Sequence, residues 1–146
     1  MTLSQEIYKQ VSTRRPSCLL DPDMEYSPDE LVAFLLHPRG IEHALATGFP
    51  SMAFLEGHRD LLEGLPISLL SCGDEPLVVD HSGGARLFAG DGEAIIYVDG
   101  CEAGLTTLVF LHGVRARVIA RHYAVVKVHA DASCEVEVYT DNALQL

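Results

Sequence analysis

Apolar residues recur at ten-residue intervals through residues 106–140, and within each group they alternate with other residues. The repeating set is Thr106, Leu108, Phe110, Ala116, Val118, Ala120, Val126, Val128, Ala130, Val136, Val138 and Thr140. Alternation is typical of a β-strand with one buried face, and an interval without insertions is typical of stacked strands. The pattern therefore predicts short strands whose alternate residues face one narrow apolar interior.

The charged residues between these positions indicate how the strands stack. Three arginines precede three carboxylates by twenty positions: Arg115, Arg117 and Arg121, then Glu135, Glu137 and Asp141. A coil with two strands per turn places residue i on i+20, so each arginine would face a carboxylate, which contributes about 0.2–1 kcal/mol per exposed pair. An antiparallel meander would instead set Arg117 opposite Lys127, and its turns lack Asn-Gly or Asp-Gly signals. The register therefore favours a flattened β-solenoid.

Upstream of this region the repeat is looser. Shorter strands are predicted at Leu77–Val79, Ala85–Ala89 and Ala94–Val98, and the segment Gly100–Gly104 interrupts the repeat. The β region then makes roughly three turns if each turn takes about twenty residues. We expect an α+β chain with a helical cap over residues 1–66 and a β-solenoid over residues 67–146, folding as one cooperative unit.

Four short helices are predicted in the first part. Thr2-Leu3-Ser4-Gln5 is a capping box for a helix over residues 3–13, and Ser27-Pro28-Asp29-Glu30 starts a second helix that stops before Pro38. Ile41–Thr47 forms a third, and Ser51 caps a fourth over residues 52–63. Such short helices are unstable alone, so we expect them to cover an open end of the solenoid.

The segment from Gly40-Ile41-Glu42 through Phe49-Pro50-Ser51, followed by a helix and a block of alternating strands, carries a resemblance. In this respect the chain resembles a set of small uncharacterised proteins from gut-bacterial genomes. The resemblance covers about two thirds of the chain and implies helices followed by stacked strands. It implies no activity and no catalytic residue.

The charge balance and the cysteines narrow the function classes. The formal net charge is −11, and acidic residues outnumber basic ones in both halves, which argues against nucleic acid and anionic membranes as partners. No secretory signal or membrane-spanning run is visible, so we expect a cytoplasmic protein. The four cysteines show no CxxC spacing and are interpreted as reduced structural residues. No cofactor is predicted.

The histidines give no convincing catalytic or metal site. His37 precedes Pro38, where we expect it to cap a helix end. His112 and His122 are ten apart, so a two-strand turn places them on opposite sides of the coil. His129 and Asp131 form a conceivable general-base pair, but strand side chains at i and i+2 are roughly 7 Å apart.

The acidic and hydroxyl groupings are equally weak. Asp21-Pro22-Asp23-Met24-Glu25 lacks the glycine and distal glutamate of a calcium-binding EF-hand loop, so a solvated loop is expected. Asp80-His81-Ser82 holds the three residue types of a catalytic triad, but Gly83-Gly84 follows at once and indicates a turn. We predict no catalytic residue and no metal ligand.

The favoured function is a non-enzymatic interaction or assembly module. The last long strand, Glu135–Tyr139, is followed only by Leu144 and Leu146 as further apolar residues, so its edge is expected to be poorly covered. An uncovered edge normally pairs with another chain. We therefore expect a homo-oligomer, specifically an end-to-end homodimer, with another protein as a possible partner.

The alternative is a small-ligand-binding protein or an enzyme. Its site would lie at the junction between helices and solenoid, and its candidate ligand-binding residues are His58, Cys72, Asp80 and His81. A carbohydrate-binding face is a third possibility, although the outer strips offer few aromatic rings, namely Tyr97, Tyr123 and Tyr139.

Overall fold

The computed structural model describes residues 28–48, 50–100 and 104–146, without the side chains of Pro28, Asp29 and Leu31. The chain divides at Leu65–Pro66 into two compact units, which are treated one at a time below. Several predictions lie outside the described residues: the helix over 3–13, the Ser27 cap, the loop at residues 21–25, Cys18 and Cys101. That the two units fold cooperatively, and that the helices cover a solenoid end, stay predictions.

In its described part the first unit contains four helices: α1 (Pro28–Leu36), α2 (Pro38–Thr47), α3 (Met52–Gly57) and α4 (Arg59–Leu62). We expected the His37 side chain to cap the end of α1. It caps the start of α2 instead, where its Nδ1 accepts the Arg39 N–H at 3.2 Å. The reason is that Pro38 suits the first position of a helix, where no N–H is needed. Ser51 caps α3 as predicted, with Oγ accepting the Phe54 N–H at 3.2 Å.

Close packing in this unit depends on one glycine. A Cβ on Gly40 of α2 would lie 1.7 Å from the carbonyl oxygen of Phe34, so any side chain there would force α1 and α2 apart. The buried apolar residues of the unit are Val32, Leu35, Ile41, Ala44, Phe54, Leu55 and Leu62.

The second unit is a parallel β-solenoid, which confirms the predicted fold class. Its strands are β1 (Ile67–Leu70), β2 (Leu77–Asp80), β3 (Gly84–Gly90), β4 (Glu93–Asp99), β5 (Thr106–Leu111), β6 (Arg115–Arg121), β7 (Val125–Ala130), β8 (Glu135–Asp141) and β9 (Leu144–Gln145). Odd strands form sheet A, in the order β1-β3-β5-β7-β9, and even strands form sheet B, in the order β2-β4-β6-β8. Each turn takes one strand from each sheet, so the coil makes about four turns, one more than predicted.

The register follows the predicted interval of twenty residues where the chain has no insertion. Thr106 pairs with Val126 and Arg115 pairs with Glu135. Glu93, by contrast, pairs with Arg115, twenty-two positions later, because the corner after β4 is longer. The predicted interruption at Gly100–Gly104 is therefore absorbed in one corner without changing which side chains face inward.

The interior of the coil is dry and tightly packed. The rings of Phe88 and Phe110, from adjacent turns, stack with centroids 5.3 Å apart. Most of the predicted inward positions of β5 to β8 form or contact the apolar cluster, whereas Ala130 and Thr140, at the ends of their strands, are exposed. The buried members of the cluster are Leu70, Phe88, Ala94, Ile96, Val98, Leu108, Phe110, Val114, Ala116, Val118, Ala120, Ala124 and Val126. Thr106 is buried as well, and its Oγ1 accepts the Gly83 N–H at 2.7 Å.

The corners bind one turn to the next. Asp91 Oδ1 accepts the Cys72 N–H at 2.9 Å, and Asp131 Oδ2 accepts the His112 N–H at 2.8 Å. Both aspartates therefore accept a hydrogen bond from a backbone N–H group at the corner of the preceding turn, a donor that the strand pairing does not satisfy. At the opposite corner a Cβ on Gly100 would lie 2.2 Å from the Ala124 nitrogen, so only glycine allows these turns to stack this closely.

The outward faces of the two sheets differ. In sheet A the outward residues Leu87, Val109 and Leu111 are fully buried, whereas in sheet B the corresponding positions hold charged residues such as Arg115 and Arg117. Among the described helices, none has the length and apolar character needed to cross a membrane.

Candidate functional site

The longest free strand edge of the last turn belongs to β8. Over all seven residues β8 pairs with β6 on one side, and within the described part of the chain no strand pairs with its other side. The Glu135 N–H donates to the Val114 carbonyl at 2.9 Å, which directs the backbone groups of the odd-numbered residues toward β6. Strand geometry alternates, so Val136, Val138 and Thr140 direct their N–H and C=O groups toward the free side.

Sheet A is covered further at this end of the coil. The short strand β9 pairs with Val125 and Val126 of β7, and the Leu146 N–H donates to the Val126 carbonyl at 2.8 Å. Leu144 and Leu146 nevertheless remain 56% and 62% exposed. The end of the solenoid thus presents an open β8 edge beside two exposed leucines.

The inward side chains of β8 complete the core only in part. Val136 and Val138 pack against the apolar cluster, but both stay partly exposed, as does Val128 on β7. In the preceding turn the aligned interior residues, Val118 on β6 and Leu108 on β5, are fully buried. One more strand layer would remove the remaining apolar surface from water, which is favourable by about 25 cal/mol per Å².

The outward side chains of β8 are mostly acidic. They are Glu135, Glu137, Tyr139 and Asp141, which align with Arg115, Arg117, Ile119 and Arg121 of β6. The predicted alignment of the three charged pairs is therefore confirmed. One of these aligned pairs forms a salt bridge, in which Arg117 Nε lies 3.8 Å from Glu137 Oε2. Arg121 forms its salt bridge with the other neighbouring strand, because its Nε lies 4.0 Å from Asp99 Oδ2 on β4.

A shallow groove of about 360 Å³ crosses these acidic and basic columns. Its charged lining residues are Glu93, Arg115, Arg117, Glu135 and Glu137. Beside it, the Tyr139 hydroxyl donates to Glu137 Oε2 at 2.6 Å, and this bond raises the pKa of Tyr139. The groove therefore extends over β4, β6 and β8, and its lining carries charges of both signs.

The predicted ligand-binding residues do not form one cluster in the solenoid. Cys72 precedes β2 at the corner held by Asp91, whereas Asp80 ends β2 and His81 follows it at the opposite corner. His58 belongs to the helical unit, where its ring lies 4.8 Å from that of Phe54. Asp80 and His81 are therefore brought together only as neighbours in the chain, and a shared junction site stays a prediction.

His81 occupies a polar spot in the first turns of the coil. Its backbone N–H donates to the Tyr97 carbonyl at 2.9 Å. The Nε2 atom of its ring is buried and has no hydrogen-bond partner among the described residues. Burial, together with the nearby guanidinium of Arg86, lowers the pKa of His81. Arg86 itself donates to Ser68 Oγ at 2.7 Å and lies over the Phe88 ring.

A second cavity lies beside the first turn. It has a volume of about 450 Å³, and its lining includes Leu70, Asp74, Glu75, Leu77 and Val78. Asp74 and Glu75 make it acidic, and no histidine is among its lining residues. It offers apolar surface, hydroxyl groups and carboxylates.

One acid–histidine pair was not predicted. His122 Nδ1 lies 2.8 Å from Asp99 Oδ2, and the Asp99 N–H donates to Ser82 Oγ at 2.9 Å. The sequence signal was the longer corner after β4: it aligns Asp99 with Arg121 and so brings the next residue, His122, beside Asp99. Both side chains are about half exposed, and we interpret the pair as a corner contact.

The other histidine predictions have simple outcomes. His112 follows β5 and His122 follows β6, so they lie at opposite corners, as predicted. Asp131 bonds to the His112 N–H and to Ser133. Burial acts to raise the pKa of Asp131, but these hydrogen bonds outweigh it and lower that pKa.

Cys134 behaves as a structural residue. It is partly buried and packs against the apolar cluster, which fits the prediction of a structural cysteine. Burial raises the pKa of its thiol, so the reactive thiolate is disfavoured. Nowhere in residues 28–48, 50–100 and 104–146 do three or more His, Cys, Asp or Glu residues converge as metal ligands.

No protein family, curated protein or solved structure matches this chain in the comparisons.

Proposed function

We propose that this protein is a non-enzymatic interaction and assembly module that acts by strand pairing at the free edge of β8. The observation that carries the proposal is the seven-residue β8, whose second side has no partner strand in the described chain. Such an edge offers a row of N–H and C=O groups, which favours addition of a strand from another chain. Partly exposed Val136 and Val138 add apolar surface that a further strand would bury.

Self-association is the form of this function that needs no second protein. Two copies would pair β8 with β8 end to end around a two-fold axis, which is the commonest symmetry of homo-oligomers. This pairing brings acidic strands together, so we expect a weak dimer that salt strengthens by screening the repulsion. A reducing, cytoplasmic setting belongs to the same proposal, because Cys72 and Cys134 are both free thiols.

The experiment is light scattering after size-exclusion chromatography, at high micromolar concentration and at low and high salt. Thr140 is the residue to change, because its side chain is exposed and its N–H points to the free side. Thr140→Pro removes that donor while leaving the β6–β8 hydrogen bonds in place, and Thr140→Ser is the matched control. We expect dimer for the wild-type chain and for Thr140→Ser, and monomer for Thr140→Pro.

Stability of the same variants separates assembly from folding. Thr140→Pro is expected to change the free energy of unfolding of the monomer by less than about 1 kcal/mol, because no internal hydrogen bond is lost. Self-association through this edge is excluded by a wild-type chain that stays monomeric at both salt concentrations. It is excluded equally by a dimer that Thr140→Pro leaves intact.

A further inference from the structure

Resting on the proposed function, we infer that the natural occupant of the β8 edge is an extended segment of another protein that is basic at most of its alternate positions. In that respect the segment resembles β6 of this chain. Three features of sheet B favour such a partner: the alternation of charge between its strands, the contacts of the β8 carboxylates, and the poor charge match between two copies of β8.

Charge alternates from strand to strand across the outward face of sheet B. In the first column Glu93, Arg115 and Glu135 are aligned, and in the last column Asp99, Arg121 and Asp141 are aligned. The arginine strand β6 thus lies between two acidic strands. Opposite charges on directly facing strands are favourable, so continuation of the pattern places a basic strand next to β8.

The outward face of sheet B also carries more negative than positive charges. Its outward residues include three arginines, all on β6, and six carboxylates: Asp80, Glu93, Asp99, Glu135, Glu137 and Asp141. The arginines are shared between β4 and β8, as shown by Arg121 lying near Asp99 and Arg117 lying near Glu137. Glu135, Glu137 and Asp141 therefore have unused capacity to accept hydrogen bonds on the free side.

A second copy does not supply the missing cations. In a two-fold antiparallel pairing aligned on Val138, Glu135 would face Asp141 of the second copy, and every register that aligns three or more outward residues places one acid opposite another. Stacking β8 on β2 of the next copy offers only Val78 and Asp80 as outward residues. Like charges directly opposite each other are destabilising, so a basic partner is favoured over either arrangement.

The probe is a fluorescein-labelled peptide with the β6 sequence, Arg-Ala-Arg-Val-Ile-Ala-Arg. Two control peptides replace its three arginines by glutamine or by glutamate, which keeps length and apolar pattern. Binding to the full chain is measured by fluorescence anisotropy at low ionic strength and at about 1 M salt, where the screening length falls to about 3 Å. We expect the arginine peptide to bind about tenfold or more tightly than the glutamine peptide at low salt, with the difference lost at high salt.

Three variants of the protein locate the binding site. Glu135→Gln with Glu137→Gln should weaken binding of the arginine peptide, whereas Glu93→Gln, on the interior strand β4 of the same face, should have a much smaller effect. Thr140→Pro should weaken both the arginine and the glutamine peptide, because it removes a backbone donor that either one needs. Circular dichroism of each variant confirms that the fold is retained.

Each result has one meaning. Equal binding of arginine and glutamine peptides, both sensitive to Thr140→Pro, overturns the basic partner and leaves the docking edge standing. If Thr140→Pro leaves binding of the arginine peptide unchanged, the peptide is held by electrostatic attraction to the surface and not by strand pairing. That result overturns the inference as well. If no peptide binds while Thr140→Pro still dissociates a dimer, only the inference fails, and if Thr140→Pro affects neither readout, the proposed function fails with it.

Discussion

The two sheets of the solenoid share one interior but have opposite outer faces. In the centre of sheet A, outward residues Leu87 and Val109 are as fully buried as their inward neighbours Phe88 and Phe110. In sheet B, outward positions carry Arg117 and Glu137, which are 67% and 63% exposed. The inward residues therefore build the coil, while the outward residues decide which outer face is buried and which is exposed to water.

The difference between the two outer faces is visible in the sequences of the strands. Leu108-Val109-Phe110-Leu111 is a continuous apolar run, typical of a parallel strand buried on both faces. Arg115-Ala116-Arg117-Val118 alternates, as expected of a strand with one face in water. Hence the free edge of β8 belongs to the sheet whose outer face is solvated.

The largest effect is expected from truncating an outward residue of sheet A. Leu111→Ala should lower the free energy of unfolding by about 2–5 kcal/mol, because it leaves a cavity at a fully buried site. The matched variant Ile119→Ala removes a half-buried outward residue of sheet B and should cost clearly less. Urea unfolding followed by circular dichroism measures both. Equal costs would contradict the distinction between the two outer faces.

An intermediate effect is expected from pH, through the polar spot formed by His81 and Arg86. Because the pKa of His81 is lowered in the fold, the unfolded chain takes up a proton first as pH falls below about 6.5. Stability from this group is therefore complete above that pH and declines below it, until the folded form is protonated too. His81→Gln should flatten this part of the stability curve.

His129 provides the comparison within sheet A, since burial and Lys127 lower its pKa as well. The double variant His81→Gln with His129→Gln should show the weakest dependence between pH 6.5 and the lower pKa values. Urea midpoints measured at closely spaced pH values provide the test. An unchanged slope in both variants would show that neither histidine is linked to folding.

The smallest effect is expected from the outward charges of sheet B. Exchanging Arg117→Glu and Glu137→Arg singly should each cost a few tenths of a kcal/mol, and the double exchange should recover most of this, with a coupling of about 0.2–1 kcal/mol. Both side chains are more than half exposed, so solvent screens the pair. The coupling should shrink at high salt. A coupling of several kcal/mol would mean that the face is not solvated.

Much of the solenoid was predictable from local regularities. The interval of ten residues identified the inward side chains of β5 to β8, and the charges at i and i+20 identified the pairing of β6 with β8. The predicted number of turns was one too low because β1 and β2 have four residues each, too few for a clear alternation. His122 and Asp99 were missed as a pair because their approach depends on the length of one corner.

The order of residues along this chain by itself determined the strands β5 to β8, most of their inward side chains, and the pairing of β5 with β7 and of β6 with β8. Each of these depends on side-chain alternation and on a constant number of residues per turn, and both can be read along the sequence. Only the tertiary structure decided that Leu87, Val109 and Leu111 are buried and that the second side of β8 has no strand beside it in the described chain. These are properties of which surfaces meet, which depends on the packing of distant segments and not on the local pattern of any one of them.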